Sequence, residues 1–77
     1  QMKVNCEARS VTYVKRILVE EEQLLRGWKE RKQRQHTQLH CNESGLATNI
    51  KWAAIDTIYD VNFNYLVTLR TAPEDCR

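Results

Sequence analysis

The stretch VTYVKRILVEEEQLLRGWKERKQRQHTQL, residues 11–39, decides how the rest of the chain is read. It holds no proline and one glycine, and its apolar residues recur at helical rather than strand spacing. Val4, Val11, Leu18, Leu25 and Leu39 share one heptad position, and Val14 and Trp28 fall on its partner. The spacing predicts one long amphipathic helix of about 28 residues, about 42 Å from end to end. A rod of that length outruns any core that so short a chain can build, so its apolar stripe needs a second helix. Glu21 and Lys32 interrupt the seam with polar residues, which favours a specific partner and register.

Propensity supports the same reading. Leu, Glu, Lys, Arg and Gln dominate residues 13–34. Glu22 and Arg26 stand at i,i+4 with the acid on the N-terminal side, the better orientation. Gly27 is the exception, costing about 1 kcal/mol in a helix interior relative to alanine.

The seventy-seven residues allow one domain, near the size at which a lone core is marginal. Hydrophobic residues make up 42% and charged residues 29%, ordinary values for a folded chain. The net charge of +2 is unevenly placed. A basic first half, residues 1–40, precedes a mildly acidic second half. Three widely spaced cysteines, Cys6, Cys41 and Cys76, read as reduced thiols of an intracellular protein rather than a disulfide framework. Asn42-Glu43-Ser44 fits an N-glycosylation pattern, which matters only in a secreted chain. Gln1 precedes Met2, so the chain reads as a fragment or as carrying a leftover first residue.

Residues 41–45, with Asn42, Ser44 and Gly45, read as a turn that separates the helix from a small β-rich head, residues 46–77. Within the head, Val61, Phe63, Tyr65, Val67 and Leu69 alternate with Asn62, Asn64, Leu66, Thr68 and Arg70, the period of a half-buried strand. Residues 46–59 are ambiguous: Ile50 and Trp52 alternate as in a strand, whereas Leu46, Ile50, Ala54 and Ile58 follow a helical i,i+4 row. Strand-turn-strand, with the turn at residues 56–60, is the preferred reading. The fold class is thus α+β, a long coiled-coil-like helix followed by a small antiparallel β unit, with an all-α hairpin as the alternative.

Chemistry-bearing motifs are sparse. Zinc needs four ligands at defined spacing, and His36, His40 and Cys41 lack a second pair to close such a site. Asp56 and Asp60 are the paired carboxylates outside the helix, and no histidine is placed to act with them. The expectation is therefore no enzyme, no metal and no cofactor. Arg26, Lys29, Arg31, Lys32 and Arg34 form a basic run that spreads around a helix instead of lining one side, which reads as a solvated helix end. Trp52, Phe63 and Tyr65 are candidate interface anchors.

Gly45-Leu46, then Trp52-x-x-Ile55-Asp56, then Phe63-x-Tyr65 resemble the first strands of the globular heads in outer-kinetochore subunits, which are coiled coils ending in small RWD domains. The likeness covers roughly 20 of the 77 residues; the turn proline and the later strand and helices of such a head have no counterpart here. It implies a heterodimer with a related coiled-coil subunit, docking to kinetochore linker proteins, and a nuclear or chromosomal location.

The function expected from these features is a non-catalytic protein–protein interaction or scaffold module. Val11, Val14, Leu18, Leu25 and Trp28 would form the helical seam, against a homo- or heteromeric partner, with neither a membrane nor a small-molecule substrate involved. One alternative is a small helical nucleic-acid-binding protein using the basic helix end. Another is a small secreted helical factor.

Overall fold

The computed structural model describes residues 1–19 and 24–76 and shows a two-layer α+β fold. Four strands, β1 (Met2–Asn5), β2 (Ser10–Arg16), β3 (Ala53–Tyr59) and β4 (Tyr65–Thr71), form one sheet in the order β1-β2-β3-β4. The outer pairs are antiparallel hairpins, and the central pair, β2 with β3, is parallel. Joining parallel neighbours requires a crossover. That crossover contains α1 (Trp28–Gln38), followed by two π-helical turns, Leu39–Glu43 and Leu46–Ile50.

The long N-terminal helix is thereby overturned, and so is the all-α hairpin. Ser10–Arg16 is a strand, and the helix starts only at Trp28, running 11 residues before its π-helical continuation. Val11, Thr12, Tyr13 and Val14 are three β-branched residues and an aromatic, stiff at χ1 and better suited to a pleated surface than to a helix. Their alternation has its own logic. Val11 and Tyr13 stand beside Ala54 and Asp56 on the face toward α1, while Thr12 and Val14 stand beside Ile55 and Thr57 on the other. The seven-residue spacing of Val4 and Val11 survives, but as a cross-strand pair in the β1–β2 hairpin. Glu21, on the expected seam, and Glu22, expected to pair with Arg26, lie outside the described residues.

Gly27 is not a flaw inside a helix. It precedes α1 with φ +80°, a left-handed conformation that glycine adopts without steric cost. Gly45 does the same between the two π-helical turns, at φ +69°, where a side chain would press on Asn49.

The second half is neither an extended head of its own nor separate from the first, since β3 pairs with β2 along its whole length. Residues 46–50 are helical, and the β3–β4 turn lies at residues 60–64 instead of 56–60. A register irregularity at Ile58/Tyr59 breaks the expected alternation of β4. Tyr65 stays opposite Tyr59 on the outer face, while Leu66 and Val67 both pack with the core around Ile58 and Leu69. A β-bulge does this by adding one residue to one strand only.

Cys41 and Cys76 form a disulfide that ties the π-helical turn after α1 to the 3-10 turn Pro73–Cys76 after β4. This corrects the expectation of three reduced thiols; Cys6 is free and exposed. The buried apolar residues are few and mostly small: Val11, Ala47, Ala53, Ala54, Ile58, Leu66, Leu69 and Ala72. With so little core, the cross-link carries a real share of the stability.

Candidate functional site: an apolar groove above a buried histidine and aspartate

The inward face of α1 is polar, which is unusual for a helix lying on a sheet. Its buried residue is His36, whose Nδ1 lies 2.7 Å from Thr71 Oγ1 on β4. Thr71 Oγ1 in turn lies 3.4 Å from Thr37 Oγ1. One turn earlier, the Gln33 amide donates to Arg70 O at 2.9 Å and accepts from Arg70 N at 3.3 Å. Beyond Trp28, which packs against the core of Ile58, Leu66 and Leu69, helix and sheet are therefore held together by hydrogen bonds where most such pairs rely on leucines.

Asp56 sits on central strand β3, buried beneath α1, with its side chain 6% exposed. A buried carboxylate is costly unless a cation or donors meet it. Lys15, its neighbour on β2, supplies Nζ at 2.8 Å from Oδ2 while its side chain stays about half exposed. His36 Nε2 is 3.7 Å from the same oxygen, too far for a strong hydrogen bond. His36 Nε2 and Asp56 Oδ1 are both buried without a hydrogen-bond partner. Burial lowers the His36 pKa, outweighing the attraction of Asp56, and His40 and Lys15 push it the same way. His36 is thus neutral at pH 7. His40, one turn on with its ring centroid 4.5 Å away, is also lowered chiefly by burial.

Next to this cluster the molecule opens into a groove of about 450 Å³ between the start of α1 and the end of the sheet. Ile17, Leu18, Leu24, Trp28, Ile58 and Leu69 give it apolar walls, and Lys15 and Lys32 stand among its lining residues. Leu18 and Leu25 are each 76% exposed. Leu25 lines a smaller adjoining hollow, which it shares with Leu24, Trp28 and Lys32.

The residues expected to form one seam are thus dispersed, and then partly regrouped. Val11 is buried in the sheet on the helix side, and Val14 lies on the opposite face. Leu18 and Trp28 meet again in the groove, and Leu25 beside it. Trp52 is half-buried just before β3, its backbone N–H donating to Leu46 O at 3.2 Å. Phe63 and Tyr65 belong to the β3–β4 hairpin and not to the groove. The basic run is exposed and dispersed. Arg31 Nη1 donates to Arg26 O at 3.0 Å, Lys29 Nζ lies 5.8 Å from the Trp28 ring centre, and Arg34 lines a separate hollow beside the disulfide.

Sequence reasoning passed over Lys15, Thr37 and Thr71, and treated His36 and Asp56 separately. The one available signal was an aspartate at an inward position of the apolar run Ala53-Ala54-Ile55-Asp56-Thr57-Ile58. Thr71 is fully buried, so its contact with His36 presents no hydroxyl to a substrate. Among the described residues no group of three or more His, Cys, Asp or Glu could hold a metal, and no helix is long and apolar enough to cross a membrane. Comparison with protein families, curated proteins and solved structures finds no match.

Proposed function

We propose that the protein is a non-catalytic interaction module whose groove takes an apolar segment of another protein chain flanked by acidic residues. The observation that carries this reading is the exposure of Leu18 and Leu25 at 76% each, beside a groove walled by Trp28. Large apolar side chains left in water next to a concave apolar surface mark an interaction site. Trp is among the residues that most often anchor interfaces. Lys32 supplies the charge preference, since Lys15, also in the lining, is paired with Asp56. This reading replaces the expected helical seam with a groove between helix and sheet.

The Cys41–Cys76 disulfide supports a chain that folds in an oxidising compartment, and Asn42, next to Cys41, is exposed. The kinetochore-type context rests on the spacing of Gly45-Leu46, Trp52, Ile55-Asp56, Phe63 and Tyr65 alone, because the rod it calls for is replaced by β2 and the crossover.

The test uses a labelled synthetic peptide of alternating leucine and glutamate blocks, followed by fluorescence anisotropy. Saturable binding in the micromolar range is expected for the oxidised protein, with at least tenfold weakening in Leu18→Glu/Leu25→Glu at unchanged circular dichroism. Equal binding by the double variant would sink the proposal. So would light scattering that shows a wild-type dimer dissociated by the same substitutions, since the occupant would then be a second copy.

A further inference from the structure

The face of the sheet turned away from α1 carries a different chemistry. Strand register places Lys3, Thr12, Ile55 and Arg70 in one row across it, and Val14, Thr57 and Thr68 in the next. Arg16, Tyr59 and Tyr65 form the third row. Among the described residues no aspartate or glutamate stands on this side of any strand, although the chain has ten. The sheet's acidic residue, Asp56, points to the helix side and is neutralised there by Lys15.

The third row ends in an aromatic cluster. Tyr59 and Tyr65 meet edge to face with ring centres 6.1 Å apart, and the Arg16 guanidinium lies 4.5 Å from the centre of the Phe63 ring. Phe63 is 66% exposed and Tyr65 58%. Phe63 also has φ +64°, a left-handed conformation uncommon for a bulky residue. Strain of this kind persists where the surroundings impose it, and it gathers at functional positions. The surroundings here are explicit. Asp60 accepts from the backbone N–H groups of Asn62 and Asn64, both at 2.8 Å, and from the Asn64 amide, while Phe63 N donates to Asp60 O at 3.0 Å. The turn is knitted on its inner side and presents a phenyl ring on its outer side.

We propose that this open face is a binding platform for single-stranded nucleic acid, with Tyr59, Phe63 and Tyr65 as stacking surfaces and Lys3, Arg16 and Arg70 as phosphate contacts. Unpaired bases stack on aromatic rings while cations follow the backbone. Thr12, Thr57 and Thr68 add hydroxyls that can donate to or accept from base edges. A membrane surface would need more apolar protrusion than Phe63 alone, and a sulfated glycan would need cations converged on one spot. The three cations here are spread over the sheet, from edge strand β1 to edge strand β4. The site is distinct from the groove and from the basic run on α1, which lie on the other side of the sheet.

The test is anisotropy with a fluorescein-labelled twelve-nucleotide pyrimidine single strand and the oxidised, full chain. Saturable binding is expected at 50 mM salt, with a logarithmic salt slope of about −2, as about three phosphate contacts on a single strand require. Tyr65→Ala and Phe63→Asn should each weaken binding about tenfold. Asparagine tolerates the left-handed conformation, so Phe63→Asn should raise the melting temperature while losing affinity, which separates a lost stacking surface from a lost fold. Arg16→Glu should weaken binding at least tenfold, and Arg34→Glu on α1 less than twofold. The proposal is overturned by equal effects of Arg16→Glu and Arg34→Glu, by duplex binding as tight as single-strand binding, or by anionic vesicles binding where the oligonucleotide does not.

Discussion

His36 shows how one side chain can belong to the core and still remain titratable. Its ring fills the space between α1 and β4 where a leucine would ordinarily sit, and Thr71 satisfies one nitrogen. Asp56 lies toward the other nitrogen and favours protonation; Lys15 and His40 oppose it, and burial decides the balance. The folded pKa is therefore below the unfolded value of about 6.5, and the unfolded chain binds protons first as the solution is acidified. Stability is fully present above about pH 6.5 and falls as pH drops through that value toward the folded pKa. His40 is shifted the same way and adds to the trend. Urea titrations between pH 7.5 and 5.5 should show this fall, with a limiting slope of about 1.4 kcal/mol per pH unit for each proton taken up on unfolding. His36→Gln should reduce the slope by roughly half. An unchanged slope would mean that the histidine is not held neutral.

The helix α1 is an example of an element whose role its composition conceals. WKERKQRQHTQ has almost no apolar face, so a reading by hydrophobic pattern can treat it only as the solvated end of something longer. Apart from Trp28 at its start, what docks it is polar and specific. The Gln33 amide hydrogen-bonds the outward N–H and C=O of Arg70, as an extra strand would, and so covers part of the β4 edge. It also reaches Thr37 at 3.1 Å. Gln33→Ala should lower stability by about 1–2 kcal/mol, the net worth of two or three such bonds. The same substitution should increase amide exchange at Arg70. Strand β4 is the element most legible in advance, because Val67, Thr68, Leu69 and Arg70 alternate as a strand must, whereas β3 runs through the expected turn at residues 56–60. The bulge at Leu66 was not legible, since an added residue leaves no mark in a periodic sequence.

At the scale of the whole molecule, the fold is a thin sheet with one polar helix, a handful of small core residues and a cross-link. The disulfide joins residues 35 positions apart and spans the helix layer and the end of β4. A loop of that length is worth roughly 3–4 kcal/mol in the chain-entropy account, a large part of what so small a domain commonly retains. Reduction, or Cys41→Ser with Cys76→Ser, should lower the urea midpoint by a corresponding amount and loosen α1 first. Cys6→Ser should leave it unchanged. If reduction costs less than about 1 kcal/mol, the core is stronger than its small side chains indicate.

The sequence by itself determined the local features: the basic first half, the break at Gly45, the alternation of Val67 to Arg70 and the shortage of catalytic motifs. It also marked Leu18, Leu25 and Trp28 as apolar residues in need of a surface. Only the tertiary structure decided between helix and strand for Ser10–Arg16, because apolar residues seven apart satisfy a heptad and also leave a strand free to alternate. The deciding energy is non-local. β2 gains its partner 43 positions further on, where Ser10 meets Ala53, and no window centred on Val11 contains that information. Tertiary structure likewise paired Cys41 with Cys76 and brought Lys15, His36 and Asp56 together. Among the described residues it also left one face of the sheet without a negative charge, for strand register sorts residues by side only once the strands have met.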